Sequence, residues 1–148
     1  MIWRFLAVVV GGTAIASFTD WLFMGVLFHE RYLRFPEVWR GEPGTPNTRR
    51  IVLSQVISLI TCAAFTLLLI HTGMLRLNDA LLIAVLVWAA GPLVIEAYNA
   101  LWMKFDGLVA ASHAAGWLVR LAITAGLAAW LLHPATKLAT EALAAAPG

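Results

Sequence analysis

Residues 51–75 read IVLSQVISLITCAAFTLLLIHTGML, a run that carries no formal charge. A helix rises 1.5 Å per residue and needs about 20 apolar residues to cross the hydrocarbon of a bilayer, so this run is long enough to span. It shows no alternation of apolar and polar positions, which a barrel strand would require. With no water to satisfy backbone groups inside a bilayer, such a run is a helix. Working outward, three further runs qualify, giving helices at about 5–28, 51–75, 80–103 and 108–132. The expected fold is all-α: an integral membrane four-helix bundle, antiparallel, with short connections except a long loop between the first and second helices.

The composition agrees. Of 148 residues, 61% are hydrophobic and 12% are charged, and the mean hydropathy is +0.85. Soluble domains run near 45–50% apolar and about 25% charged. Ten cations against eight anions form no basic patch, so nucleic acid is excluded as a partner. The single cysteine, Cys62, excludes an internal disulfide, a CxxC redox pair and a thiolate zinc cluster. Arg4 followed by a stretch ending in AIAS has the outline of a secretion signal. The apolar run continues to Phe28, however, so a retained first span is expected.

The chain therefore reads as one transmembrane domain, 1–133, followed by a flexible C-terminal tail, 134–148. The loop at 29–50, HERYLRFPEVWRGEPGTPNTRR, is polar and punctuated by proline. Its start reads as an interfacial turn, with Tyr32, Phe35 and Trp39 at headgroup level. Arg31, Arg34, Arg40, Arg49, Arg50 and Lys104 fall on the loop side, against Arg4, Arg76 and Lys137 on the other. By the positive-inside rule the loop is cytoplasmic and both termini are outside.

Ionisable residues inside the spans mark the candidate site. Asp20 lies eight residues before Phe28, and Glu96 eight before Lys104, each roughly 12 Å from the cytoplasmic end. Arg120 is roughly 18 Å into its span, near the midplane. Gln55 and Ser58 occupy the first turns of the second helix, and His113 the second turn of the fourth. Helical spacing places Thr13, Ser17 and Asp20 on one stripe, Pro92, Glu96 and Asn99 on another, and His113, Gly116 and Arg120 on a third. A charge facing lipid costs about 2.5–3.5 kcal/mol on the insertion scale, so all three ionisable groups are expected to face inward. There, two carboxylates can flank the Arg120 guanidinium. The candidate set is Asp20, Glu96, Arg120, His113, Asn99 and Gln55. Two acids and one base leave one acid in surplus, to be protonated, paired with His113 or neutralised by a bound cation.

The other half of each span is apolar. Gly11, Gly12, Ala16, Ala122 and Gly126 form candidate close-packing seams, and Pro92 is expected to kink the third span beside Glu96. Trp3, Trp39, Trp102 and Trp130 read as interfacial anchors, while Trp21, Trp88 and Trp117 read as core packing. His29 and His113 on one side, and His71 and His133 on the other, raise haem as an alternative. Three of the four sit at span ends, so no cofactor is called for.

The stretches ASFTDWLFMGVLF (16–28), RRIVLSQVISLITCAAFTLLLIHTG (49–73), DALLIAVLVWAAGPLVIEAYNALW (79–102) and AAGWLVRLAITAGLAAWL (114–131) follow a recognisable order. Over residues 5–132 the chain resembles the domain-of-unknown-function 1761 family, small bacterial membrane proteins with four predicted helices. Trp21, the Asn99–Ala100–Leu101 end of the third span and Trp117–Leu118–Val119 match that family's pattern. Leu22 and Met24 depart from its tryptophan-tyrosine pair and following proline. The resemblance implies the architecture and no mechanism.

The leading functional expectation is a polar intramembrane pocket that binds or moves a small molecule or proton. A second is a structural or accessory protein whose charges only hold the bundle or a partner interface. A third is a small multidrug-resistance-like exporter, a class with four helices and an intramembrane acid but shorter chains. No nucleophile–base pair or metal-ligand spacing lies within the spans, so no enzyme is expected. The expected partners are the lipid bilayer, the ligand or proton, and a second copy of the chain or another membrane protein.

Overall fold

The structure is a computed structural model and describes residues 1–34, 47–104, 106–134 and 136. The expected headgroup positions of Phe35 and Trp39, the turn-forming core of the long loop and the tail beyond residue 136 lie outside the described residues. Among the described residues all regular structure is helical: α1 (Ile2–Asp20), a π-helical segment (Trp21–Leu27), α2 (His29–Leu33), α3 (Thr48–Thr72), α4 (Leu77–Ala90), α5 (Pro92–Trp102) and α6 (Gly107–Leu131). Four stretches, Ile2–Leu27, Thr48–Thr72, Leu77–Trp102 and Gly107–Leu131, are long and apolar enough to cross a membrane. They mark the chain as a multi-pass membrane protein.

Local chemistry explains the ends. Asn47 caps α3 by accepting the Arg50 backbone N–H at 3.1 Å, and Asp106 caps α6 by accepting from Leu108 and Val109 at 2.8 and 3.2 Å. Gly73 ends α3 with φ +70°, a left-handed turn that a side chain would strain. The third span breaks at Gly91, and α5 restarts with Pro92 in its first turn. Proline has no N–H to donate to the Trp88 carbonyl, which is the physical origin of the expected kink. Within the spans, hydroxyls bond back to their own helix. Thr13 donates to the Val9 carbonyl at 2.7 Å, Thr66 to Cys62 at 2.6 Å and Thr124 to Arg120 at 2.9 Å.

The packing has a hub. α6 packs against α1, α3, α4 and α5, while α1 also packs on α3. Small buried residues of α6, among them Ala114, Ala125 and Ala128, let its neighbours come close. Gly12 on α1 is such an approach: a Cβ there would lie 3.2 Å from Thr124 Oγ1 and 3.6 Å from Cys62 Sγ. Gly126, expected in the same seam, has no side-chain neighbour within 4 Å of a Cβ position and plays no such part. Contact on α6 runs instead through Leu121, Thr124, Ala125 and Ala128.

The apolar core joins Val8, Phe65, Leu69, Ala80, Ala84, Leu121, Ala125 and Ala128. It lies at the end of the spans away from Asp20, Glu96 and His113, so the molecule divides into an apolar half and a half that carries polarity. The outer surface is greasy: Ile51, Val52, Val56, Ile57 and Ile60 on α3, and Leu82, Val85 and Leu86 on α4, are all exposed. Water would not tolerate such contiguous surface, and lipid does. Trp3, Trp102 and Trp130 are exposed at span ends, as anchors would be. Trp21 is 59% exposed and is not core packing as expected. It sits in the π-helical turn, where its ring lies against Gly25, so close that a Cβ there would be 3.2 Å from Trp21 Cδ1.

Candidate functional site

Asp20 is the last residue of α1 and directly precedes the π-helical segment. Wider π turns commonly mark functional positions within helices. Here the wide turn follows the one carboxylate of α1, and Phe28 N–H closes on the Phe23 carbonyl five residues back at 2.9 Å. Across from Asp20, Arg120 projects from the middle of α6, and its Nη2 donates to Asp20 Oδ2 in an ion pair. The guanidinium also lies over the Trp117 ring, 4.6 Å from the centroid. The two partners are unequally covered: the Arg120 side chain is 11% exposed and that of Asp20 33%. Gly116, one turn before Arg120, leaves room for the carboxylate; a Cβ there would stand 3.6 Å from Asp20 Oδ1.

One turn up α1, Ser17 Oγ contacts both the Thr13 carbonyl and the Gln55 side chain. The Ser17 hydroxyl has one proton, which it shares between two acceptors, the Thr13 carbonyl oxygen and Gln55 Oε1. Gln55 is otherwise exposed.

A second group gathers beside the pair. Tyr32 of α2 is buried, and its hydroxyl lies 3.0 Å from Ser112 Oγ. Ser112 already donates to the Val109 carbonyl at 2.8 Å, so Tyr32 is the donor of that bond. The Tyr32 ring stands 5.5 Å from that of His113. Asp20 and Glu96 both act electrostatically on Tyr32 and on His113, which places all four in one neighbourhood. Burial pushes the Tyr32 hydroxyl up from 10.0 to about 12. Ser112 opposes the rise, because it can turn its proton to a phenolate, while the negative charges of Glu96 and Asp20 add to it. Outside the spans, Arg31 of α2 pairs with Asp106 at 3.6 Å, fastening α2 to the start of α6.

Between the π-helical segment and α6 lies a pocket of about 150 Å³. Phe23, Met24 and Trp117 supply apolar wall; Asp20, Arg120, Ser112 and His113 supply polar groups. Of the six expected residues, Asp20, Arg120 and His113 therefore line one cavity, and Gln55 supports it one turn away. Glu96 does not flank Arg120 as expected. Among the described residues the ion pairs within 4.0 Å are Asp20–Arg120 and Arg31–Asp106. The reason is azimuthal: Arg120 reaches toward α1, while α5 packs on another side of α6 and scarcely meets α1. Glu96 Oε2 is sealed from solvent and has no hydrogen-bond partner among the described residues. Asn99 is half-buried on the same helix, and its carbonyl accepts the Met103 N–H at 3.0 Å. Tyr32 and Ser112 belong to the site but were expected in other roles or in none.

Comparison with protein-family models, with curated proteins and with solved structures returned no match. The site therefore stands on its own geometry.

Proposed function

We propose that this multi-pass protein holds a working polar site within the bilayer, binding or moving a small molecule or proton, rather than a sealed electrostatic clasp. The observation that carries this is that the Asp20–Arg120 pair opens on a pocket of about 150 Å³, with the Asp20 side chain still 33% exposed. A pair that served only as glue is best fully enclosed, since any exposure weakens its attraction. Ionisable groups inside spans also mark ligand and proton pathways by default. In this reading Asp20 and Glu96 are the acids, Arg120 is the counter-ion of Asp20, and His113 and Ser112 supply hydrogen bonds. The same reading takes the spans as antiparallel in a bacterial inner membrane, with residues 29–50 cytoplasmic and both termini outside. It includes no enzymatic step, carries kinship with the domain-of-unknown-function 1761 family on the quoted motifs, and leaves α3's exposed face to lipid or a second copy.

A second reading is favoured by one specific observation. The Asp20–Arg120 and Ser17–Gln55 contacts tie α1 to both α6 and α3, which is what a structural charge cluster would do. The two are separated by Asp20→Asn and Glu96→Gln in proteoliposomes. A working site predicts variants that keep their helical content yet lose ligand binding or proton uptake. If both variants unfold in detergent and the native chain shows neither binding nor uptake, the structural reading replaces ours.

A further inference from the structure

The charge that the pocket displays is lopsided. Arg120 lines the same cavity, but Nη2 is held by Asp20, Trp117 covers one face, and Nε, which has no hydrogen-bond partner among the described residues, is buried. Its side chain is three times less exposed than that of Asp20, 11% against 33%. The more exposed of the two charges on the cavity is therefore the carboxylate. The remaining wall is apolar and aromatic at Phe23, Met24 and Trp117, with hydrogen-bonding groups only at Ser112 and His113.

Resting on the reading of this pocket as a working site, we propose that its ligand is a small organic cation: a single ammonium group set against Asp20, with a compact apolar body among Phe23, Met24 and Trp117. Size follows from the volume. A cavity of about 150 Å³ holds a body of roughly benzene size. A carboxylate ligand would meet the more exposed Asp20 carboxylate before the nearly buried guanidinium. A neutral ligand would gain no charge-assisted contact with the exposed carboxylate.

The test uses three probes of one shape and different charge: benzylammonium, benzyl alcohol and benzoate. Binding is measured by calorimetry on the full chain in phosphatidylcholine nanodiscs, with empty nanodiscs as the blank. Benzylammonium should bind at least about fivefold more tightly than benzyl alcohol, the upper range of what one exposed ion pair supplies. Asp20→Asn should bring the two together. Gly116→Leu, which fills the pocket from the α6 side and keeps every charged residue, should abolish binding of benzylammonium while circular dichroism shows the helices retained. Tighter binding of benzoate would overturn the cation assignment while leaving the pocket as a site. Equal uptake of all three, insensitive to Gly116→Leu, would show partition into lipid and overturn both. Should Asp20→Asn fail to fold, Gly116→Leu still decides, because benzylammonium selectivity that survives it lies elsewhere and sinks the proposal.

Discussion

Asp20→Asn and Arg120→Gln, made singly and together, should show that the two residues are coupled and that their losses are unequal. Removing one partner of a fully buried ion pair costs about 3–5 kcal/mol, while an exposed pair is worth about 0–1 kcal/mol. This pair lies between those limits, with Arg120 at 11% exposure and Asp20 at 33%. Asp20→Asn strands a nearly buried guanidinium, and we expect a loss of about 2–3 kcal/mol. Arg120→Gln strands a carboxylate that can hydrate through the pocket, and the loss should be smaller, about 1–2 kcal/mol. The neutral double variant should recover about 1–2 kcal/mol relative to the sum of the singles. The assay is unfolding in mixed micelles by titration with a denaturing detergent, followed by circular dichroism. Losses that simply add, to within about 0.5 kcal/mol, would refute the coupling. Arg120→Gln proving the costlier change would refute the asymmetry read from exposure.

Three further outcomes follow from particular contacts. Gly12→Val should cost about 1–3 kcal/mol by overpacking, because even its Cβ would sit 3.2 Å from Thr124 Oγ1; Gly126→Ala, with nothing within 4 Å, should be close to neutral in the same assay. Asp106→Ala removes both the cap of α6 and the 3.6 Å contact to Arg31, and should cost about 1 kcal/mol, whereas Arg31→Ala should change stability by less than about 0.5 kcal/mol because that side chain is 42% exposed. Tyr32, raised from 10.0 to about 12, holds its proton more tightly folded than unfolded. Stability should therefore be intact below pH 10.0 and decline as pH rises toward about 12, with Tyr32→Phe removing that decline. Phenolate absorbance compared between the two chains reads the titration directly.

The spans and the Asp20–Arg120 contact were legible because each depends on position along a helix axis. Hydropathy marks where residues 51–75 enter and leave the hydrocarbon, and a rise of about 1.5 Å per residue sets the depth of each polar group. The break before Glu96 was legible for a different reason, since Pro92 cannot donate a helical hydrogen bond. Rotation about the axis was not legible. Glu96 has a depth comparable to Asp20, yet among the described residues the Arg120 guanidinium pairs with Asp20 and not with Glu96. Tyr32 was hidden because α2 is short and follows a π-helical turn, whose change of register leaves no periodic trace in Trp21–Leu27. Gly25 beneath the Trp21 ring is the nearest thing to a signal, and it is a weak one.

The most direct test of an open pocket beside a buried ion pair uses the chain's own cysteine as its blank. Cys62 is 1% exposed, so the native protein should resist a small, water-soluble, cationic methanethiosulfonate reagent. Gly116→Cys places a thiol on the pocket wall, its Cβ some 3.6 Å from Asp20 Oδ1. In lipid nanodiscs this variant should react at least about tenfold faster than the native chain. A Gly116→Cys thiol as inert as Cys62 would mean that the pocket is closed, and that Asp20 and Arg120 do no more than hold two helices together.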